Sequence, residues 1–153
     1  MLCVRALKFL LLLLLVAGRG LSAEAASKIV KVLPQYLDGE GRHALSPSLY
    51  DRDAYQLQLR RHPEDRAGVR FAIQWKGPRA AQLILRVEMR GARGKVTTKA
   101  VLEQPVQRRG WFSEWSSLKL VGAEYQDFGD LVAWRATLWN GAAQVGLQTS
   151  FLW

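Results

Sequence analysis

The sequence predicts a mainly β fold, a seven-stranded antiparallel two-sheet sandwich with one inserted helix at about residues 47–61. Three observations predict it. Apolar and polar residues alternate with period two in one segment after another from residue 28 to the end of the chain. Turns marked by Gly or Pro, one of them by Asn140-Gly141, separate those segments at short intervals. A single stretch carries helical spacing instead, with a start signal and a stop signal at its ends.

An export signal precedes this pattern. Arg5 and Lys8 give a basic start, residues 9–17 form an apolar run, and the small residues Ala23, Ala25 and Ala26 follow. That order reads as a secretory signal peptide over residues 1–26, leaving residues 27–153 as a single domain. The alternative is a retained anchor, but the run stops at Gly18-Arg19-Gly20, short of the roughly 20 apolar residues a spanning helix needs. The mature chain is therefore expected to carry no membrane span and to be periplasmic or secreted.

Removing the leader leaves 19 Lys+Arg and 12 Asp+Glu, a formal charge of +7. The one cysteine, Cys3, goes with it, so stability must come from the core rather than from disulfides. A chain of this size can supply one, since it buries roughly two thirds of its unfolded surface. Asn140 is followed by Gly141 and Ala142, which excludes an Asn-x-Ser/Thr site. The 15 Arg against 7 Lys, with one Asn and three Ile, resembles the product of a GC-rich bacterial genome.

In chain order, the first strand begins at Lys28 and is expected to stop before Pro34, which suits a sheet edge. Ser46-Pro47 reads as a helix cap followed by proline in the first turn, and Ser48 precedes Asp51 by three residues. Tyr50, Ala54 and Leu57 fall on one helical face, expected to pack on the sheet, and His62-Pro63 ends the run. Val69, Phe71, Ile73 and Trp75 then alternate with Arg70, Ala72, Gln74 and Lys76. Leu83, Leu85, Val87 and Met89 alternate with Ile84, Arg86, Glu88 and Arg90, up to a turn at Gly91-Ala92-Arg93-Gly94. Val96, Thr98, Ala100 and Leu102 make the fourth strand, and Leu118 and Leu120 mark a fifth. Val132, Trp134, Ala136 and Leu138 lead to Asn140-Gly141, a preferred hairpin pair because both positions need φ > 0. Val145, Leu147, Thr149, Phe151 and Trp153 complete the last strand.

On these strands the chain resembles the immunoglobulin-like and fibronectin type III-like β-sandwiches over residues 28–153, in pattern only. The final pair, residues 130–139 and 144–153, looks like the closing hairpin of such domains. The chain lacks their sheet-bridging cysteines, and its helix is an addition. Likeness of fold carries no function by itself. A small outer-membrane β-barrel is the alternative architecture, because the alternating C-terminus ends on an aromatic residue.

Motifs for catalysis are missing. Gly91-Ala92-Arg93-Gly94-Lys95 lacks the spacing and the hydroxyl of a phosphate-binding loop, and no Gly-x-Ser-x-Gly elbow occurs. His43 and His62 are read as solvated or capping residues. Glu64-Asp65, Asp51 and Asp53 are read as cap and surface charge. No enzyme activity, cofactor or metal is expected, with a secreted enzyme of unknown chemistry kept as an alternative. Phe112 to Ser116 resembles the Trp-Ser-x-Trp-Ser box of cytokine receptors, but it stands before the fifth strand instead of near the domain's end. Trp111 and Trp115 are expected to cover the end of the sandwich, an aromatic platform for sugars being the other option.

Charge points to one surface. Residues 60–109 hold thirteen basic and four acidic side chains, whereas the flanking segments together carry no excess of cations. In a sandwich of this order the third, fourth, sixth and seventh strands share a sheet. Arg86, Arg90, Lys95, Lys99 and Arg135 then project from its outer side, with Trp139 near one end. Arginine donors suit an anionic glycan, a phosphate-rich envelope polymer or an acidic protein partner. The plainer expectation is a solvated face with cross-strand charge pairs through Glu88. No nucleic acid is expected, since no nucleic-acid motif occurs. The sequence thus suggests an exported, non-catalytic binding or structural module of the bacterial cell envelope.

Overall fold

The computed structural model describes residues 27–79 and 81–153. The leader over residues 1–26 lies outside the described residues. Seven strands form two antiparallel sheets: β1 (Lys28–Leu37), β2 (Gly68–Lys76), β3 (Gln82–Arg93), β4 (Val96–Gln107), β5 (Glu114–Val121), β6 (Asp130–Asn140) and β7 (Ala143–Thr149). The order is β1-β2-β5 in one sheet and β4-β3-β6-β7 in the other, so the strands do not close into a single barrel. No helix among the described residues is long and apolar enough to cross a membrane.

The core follows from the alternation. Val69, Phe71, Ile73 and Trp75 of β2 face Leu83, Leu85, Val87 and Met89 of β3, and all eight are essentially inaccessible to solvent. Full burial of such a side chain contributes about 1.5–3 kcal/mol, so these two central strands supply much of the driving force. Phe71 meets Trp134 edge-on at 6.2 Å between ring centroids, a favoured aromatic arrangement. The indole N–H of buried Trp75 donates to Ser116 Oγ at 2.9 Å, leaving no unpaired donor there.

Strand β1 continues through Pro34 to Leu37, where the proline was expected to end it. The reason is its edge position. Tyr36 turns its backbone N–H and C=O away from β2 and toward Gln56 of α1 (Leu49–Arg61). Pro34, two residues earlier, faces the same way and so needs no donor. Pro105 is tolerated in β4, the edge of the other sheet, for the same reason.

Helix α1 starts two residues later than expected. Ser48 is its N-cap, accepting from Asp51 N at 3.4 Å, while Ser46 Oγ donates to Asp51 Oδ2 at 2.6 Å. Its buried residues are Gln56 and Leu59, whereas Tyr50 and Leu57 are exposed. The helix lies along the β1 edge, where backbone groups need partners, and its apolar stripe therefore faces out. Arg66 ties its last turn down, donating to the carbonyls of Leu59 and Arg60 and pairing with Asp130 at the start of β6.

Four further details differ from the sequence reading. Gly91 lies within β3, and the hairpin turns at Gly94 and Lys95, with Gly94 at φ 62°. A short second helix, α2 (Gly122–Phe128), joins β5 to β6 and buries Tyr125 and Phe128; at seven residues it is too short to display a helical period. The last strand stops at Thr149, and Ser150 turns the chain by exchanging hydrogen bonds with the backbone of Trp134. The β6–β7 turn lies at Gly141 and Ala142, because an irregularity at Leu138/Trp139 shifts the register.

Candidate functional site

Strand alternation turns Arg86, Glu88 and Arg90 of β3 outward, opposite the core residues of the same strand. Register places Glu103, Val101 and Lys99 beside them on β4, and Thr137, Arg135 and Ala133 on β6. Five of the six residues singled out from the sequence therefore share one face: Arg86, Arg90, Lys99, Arg135 and Trp139. Lys95 stands instead in the β3–β4 turn, at the tip of the hairpin.

The cations on this face differ in how they are paired. Arg86 bonds Glu103, and Arg135 bonds Glu88 through Nη2 at 2.6 Å. Arg90 and Lys99 oppose one another across β3–β4, and neither forms an ion pair with a carboxylate among the described residues. Like charges directly opposite are unfavourable in an antiparallel pair. The chain turn after Thr149 lays the indole of Trp153 against both Arg90 (4.3 Å) and Arg135 (4.9 Å). These stacked contacts hold the guanidinium planes without neutralising them. Glu88, Arg90, Lys99, Val101, Arg135 and Trp153 line a recess of about 230 Å³. At the other end Trp139 donates to Thr137 Oγ1 at 2.9 Å and lies 5.4 Å from the Arg86 guanidinium.

Trp153 is the residue that period-two reading misassigns. It was expected to continue β7, and the turn at Ser150 instead brings it over the sheet. The signal for that turn is weak, one serine able to cap the β6 backbone.

A second concavity opens between the edge strands β4 and β5. Trp75, Gln82, Gln104, Arg109, Glu114 and Trp115 are among the residues around its volume of about 620 Å³. Trp111 and Trp115 do not cover the end of the sandwich as expected; both are largely exposed. Trp75 already fills that end from within, which leaves the other two outside.

His43, expected to be solvated, packs against Arg70 on the outer side of the three-stranded sheet, with ring nitrogens 3.0 Å from Arg70 Nη1. Burial, and then the charges of Arg70, Arg52 and Lys119, hold its pKa below the usual imidazole value. Nearby, Asp38 is buried, which opposes ionisation, yet hydrogen bonds from Tyr55, Arg42 and Glu40 outweigh this and keep its carboxyl well below the usual range. These groups brace the loop before α1. No group of three or more His, Cys, Asp or Glu side chains among the described residues is arranged to hold a metal ion.

No family model, curated protein or solved structure matches the chain. The function must be argued from this surface itself.

Proposed function

We propose that the chain is an exported, non-catalytic binding module of the bacterial cell envelope, taking an anionic glycan on the outer face of its four-stranded sheet. The observation that carries this reading is the Arg90–Lys99 pair, two opposed cations that form no ion pair among the described residues, at a recess walled by Trp153 and lined also by Glu88, which Arg135 already engages. A carboxylate or phosphate seated between them relieves the like-charge contact and accepts charge-assisted hydrogen bonds from both. Arg135 and Arg86 extend the donor row along the face. The seven-strand order agrees with the immunoglobulin-like pattern, and its four-stranded sheet holds these side chains in fixed register.

The test is retention of the processed chain on immobilised polyuronate and on a phosphate-linked sugar polymer, with a neutral glucan as control. Binding to the anionic polymers that weakens with salt, and falls at least tenfold in Arg90→Glu/Lys99→Glu, is expected. Equal retention on the neutral glucan sinks the reading. Binding to an acidic polypeptide alone turns it toward a protein partner.

A further inference from the structure

The loop between β4 and β5 holds two adjacent aromatic side chains in solvent, Trp111 at 78% exposure and Phe112 at 84%. They are not there through disorder. The side chain of buried Arg108 donates to the carbonyls of Gly77, Trp111 and Phe112, gripping the loop from inside. From the other side Glu114 accepts the backbone N–H groups of Gly110 (2.7 Å) and Arg109 (3.1 Å), bonds that hold its carboxyl below the usual value. A loop fixed by a buried arginine and a carboxylate cannot fold its aromatics back onto the sandwich. Keeping large apolar groups wet costs free energy, and such exposure marks a contact surface.

The surroundings indicate which contact. Arg79 stacks on Trp111 at 3.4 Å, Arg109 is exposed beside it, and the cross-strand pair Lys28–Lys76 lies at the same end of the sandwich. Glu114, the carboxylate of the loop, is already engaged by backbone amides. The tip is thus apolar and its rim cationic. Trp111 and Phe112 do not line the neighbouring cleft, so a ligand in that cleft leaves them uncovered. Phe112 has no polar atom with which to orient a sugar.

We infer that the Trp111–Phe112 tip is an interfacial anchor that seats this end of the sandwich on an anionic lipid bilayer. Trp and Phe enter the headgroup–acyl boundary, and Arg79, Arg109, Lys28 and Lys76 face the anionic headgroups. This proposal goes beyond glycan binding and uses the opposite end of the four-stranded sheet.

The experiment is flotation of the processed chain, purified from an exporting host with loss of the leader checked by intact mass, with vesicles of phosphatidylglycerol and phosphatidylcholine. Pure phosphatidylcholine vesicles are the comparison. The expected result is salt-sensitive binding to the anionic vesicles, at least tenfold weaker in Trp111→Ser/Phe112→Ser. The pair Leu49→Ser/Tyr50→Ser, both exposed in the first turn of α1, is the control for general stickiness and is expected to bind as the parent does. Because all four side chains are exposed, thermal melts of both variants should match the parent. Brominated lipid should quench the parent's tryptophan fluorescence, and less so in a Trp111→Phe variant. Failure to float with anionic vesicles, binding unaffected by the tip variant, or equal loss in the α1 control each overturns the proposal. So does a tip that retains a glycan or a protein without floating with vesicles.

Discussion

Arg90 and Lys99 face one another across the β3–β4 ladder with no carboxylate partner among the described residues, while two neighbouring arginines of the same face are paired, Arg135 to Glu88 and Arg86 to Glu103. A surface shaped for stability alone would place opposite charges at a directly opposed pair, where they contribute about 0.2–1 kcal/mol. Arg90→Glu should therefore stabilise the fold by about that amount, through a new pair with Lys99, while weakening retention on anionic polymer. Urea denaturation and polymer binding on the same preparation check the two effects. A variant both less stable and equally retained removes the case for this pair as a site.

Gln56 acts as a surrogate strand residue. Its side chain accepts from Tyr36 N at 2.8 Å and donates to Tyr36 O at 3.0 Å and to His43 O at 2.8 Å, closing the open edge of β1. Gln56→Ala leaves those partly buried groups unpaired and should cost about 1–3 kcal/mol. It also uncovers an edge, so self-association should rise with concentration in sedimentation velocity. Unchanged stability in a monodisperse variant is the result that contradicts this role.

That bond also marks where the sequence stops being legible. The alternation of β2, β3 and β6 was readable because one face of each strand touches only core, and the partition into two sheets followed from strand order. The face bearing Arg86, Arg90, Lys99 and Arg135 came with it, since period two determines both sides of a strand at once. Helix α1 misled because its best apolar stripe, Tyr50, Ala54 and Leu57, is not the buried one: polar Gln56 goes inward to serve a sheet edge. Trp153 misled because a period-two pattern continues through a turn that depends on contacts with Trp134, sixteen residues away in sequence. Nor could spacing reveal Arg108, whose three carbonyl partners come from its own loop, at Trp111 and Phe112, and from Gly77 in the distant β2–β3 loop.

His43 gives the fold a pH dependence. Burial, followed by Arg70, Arg52 and Lys119, depresses its pKa in the folded state, whereas the unfolded chain has the ordinary value near 6.5. Between those values the unfolded state binds the proton more readily, so stability present above about pH 6.5 is lost as pH falls toward the folded value. His43→Gln keeps a polar partner for Arg70 and removes the titration. Denaturation midpoints between pH 8 and pH 5 should fall more steeply for the parent than for the variant. Parallel slopes would mean that His43 is not the group responsible.

Gly91 is held to glycine by Phe128. A methyl group at residue 91 would lie 2.7 Å from Phe128 Cζ and 2.6 Å from Thr98 Oγ1, well inside contact distance. Neither neighbour can retreat easily, since Phe128 is buried between α2 and the core and Thr98 Oγ1 donates to the Phe128 carbonyl. Gly91→Ala should therefore destabilise the sandwich by about 1–3 kcal/mol, the range for overpacking a filled core. The backbone itself offers no obstacle, because Gly91 is not among the glycines at positive φ. The loss should then be steric, and shortening the neighbour should relieve it: Gly91→Ala combined with Phe128→Leu should be more stable than the sum of the two single changes predicts. A double-mutant cycle by urea denaturation reads that coupling directly. Additive losses would show that the two residues do not share the space between β3 and α2.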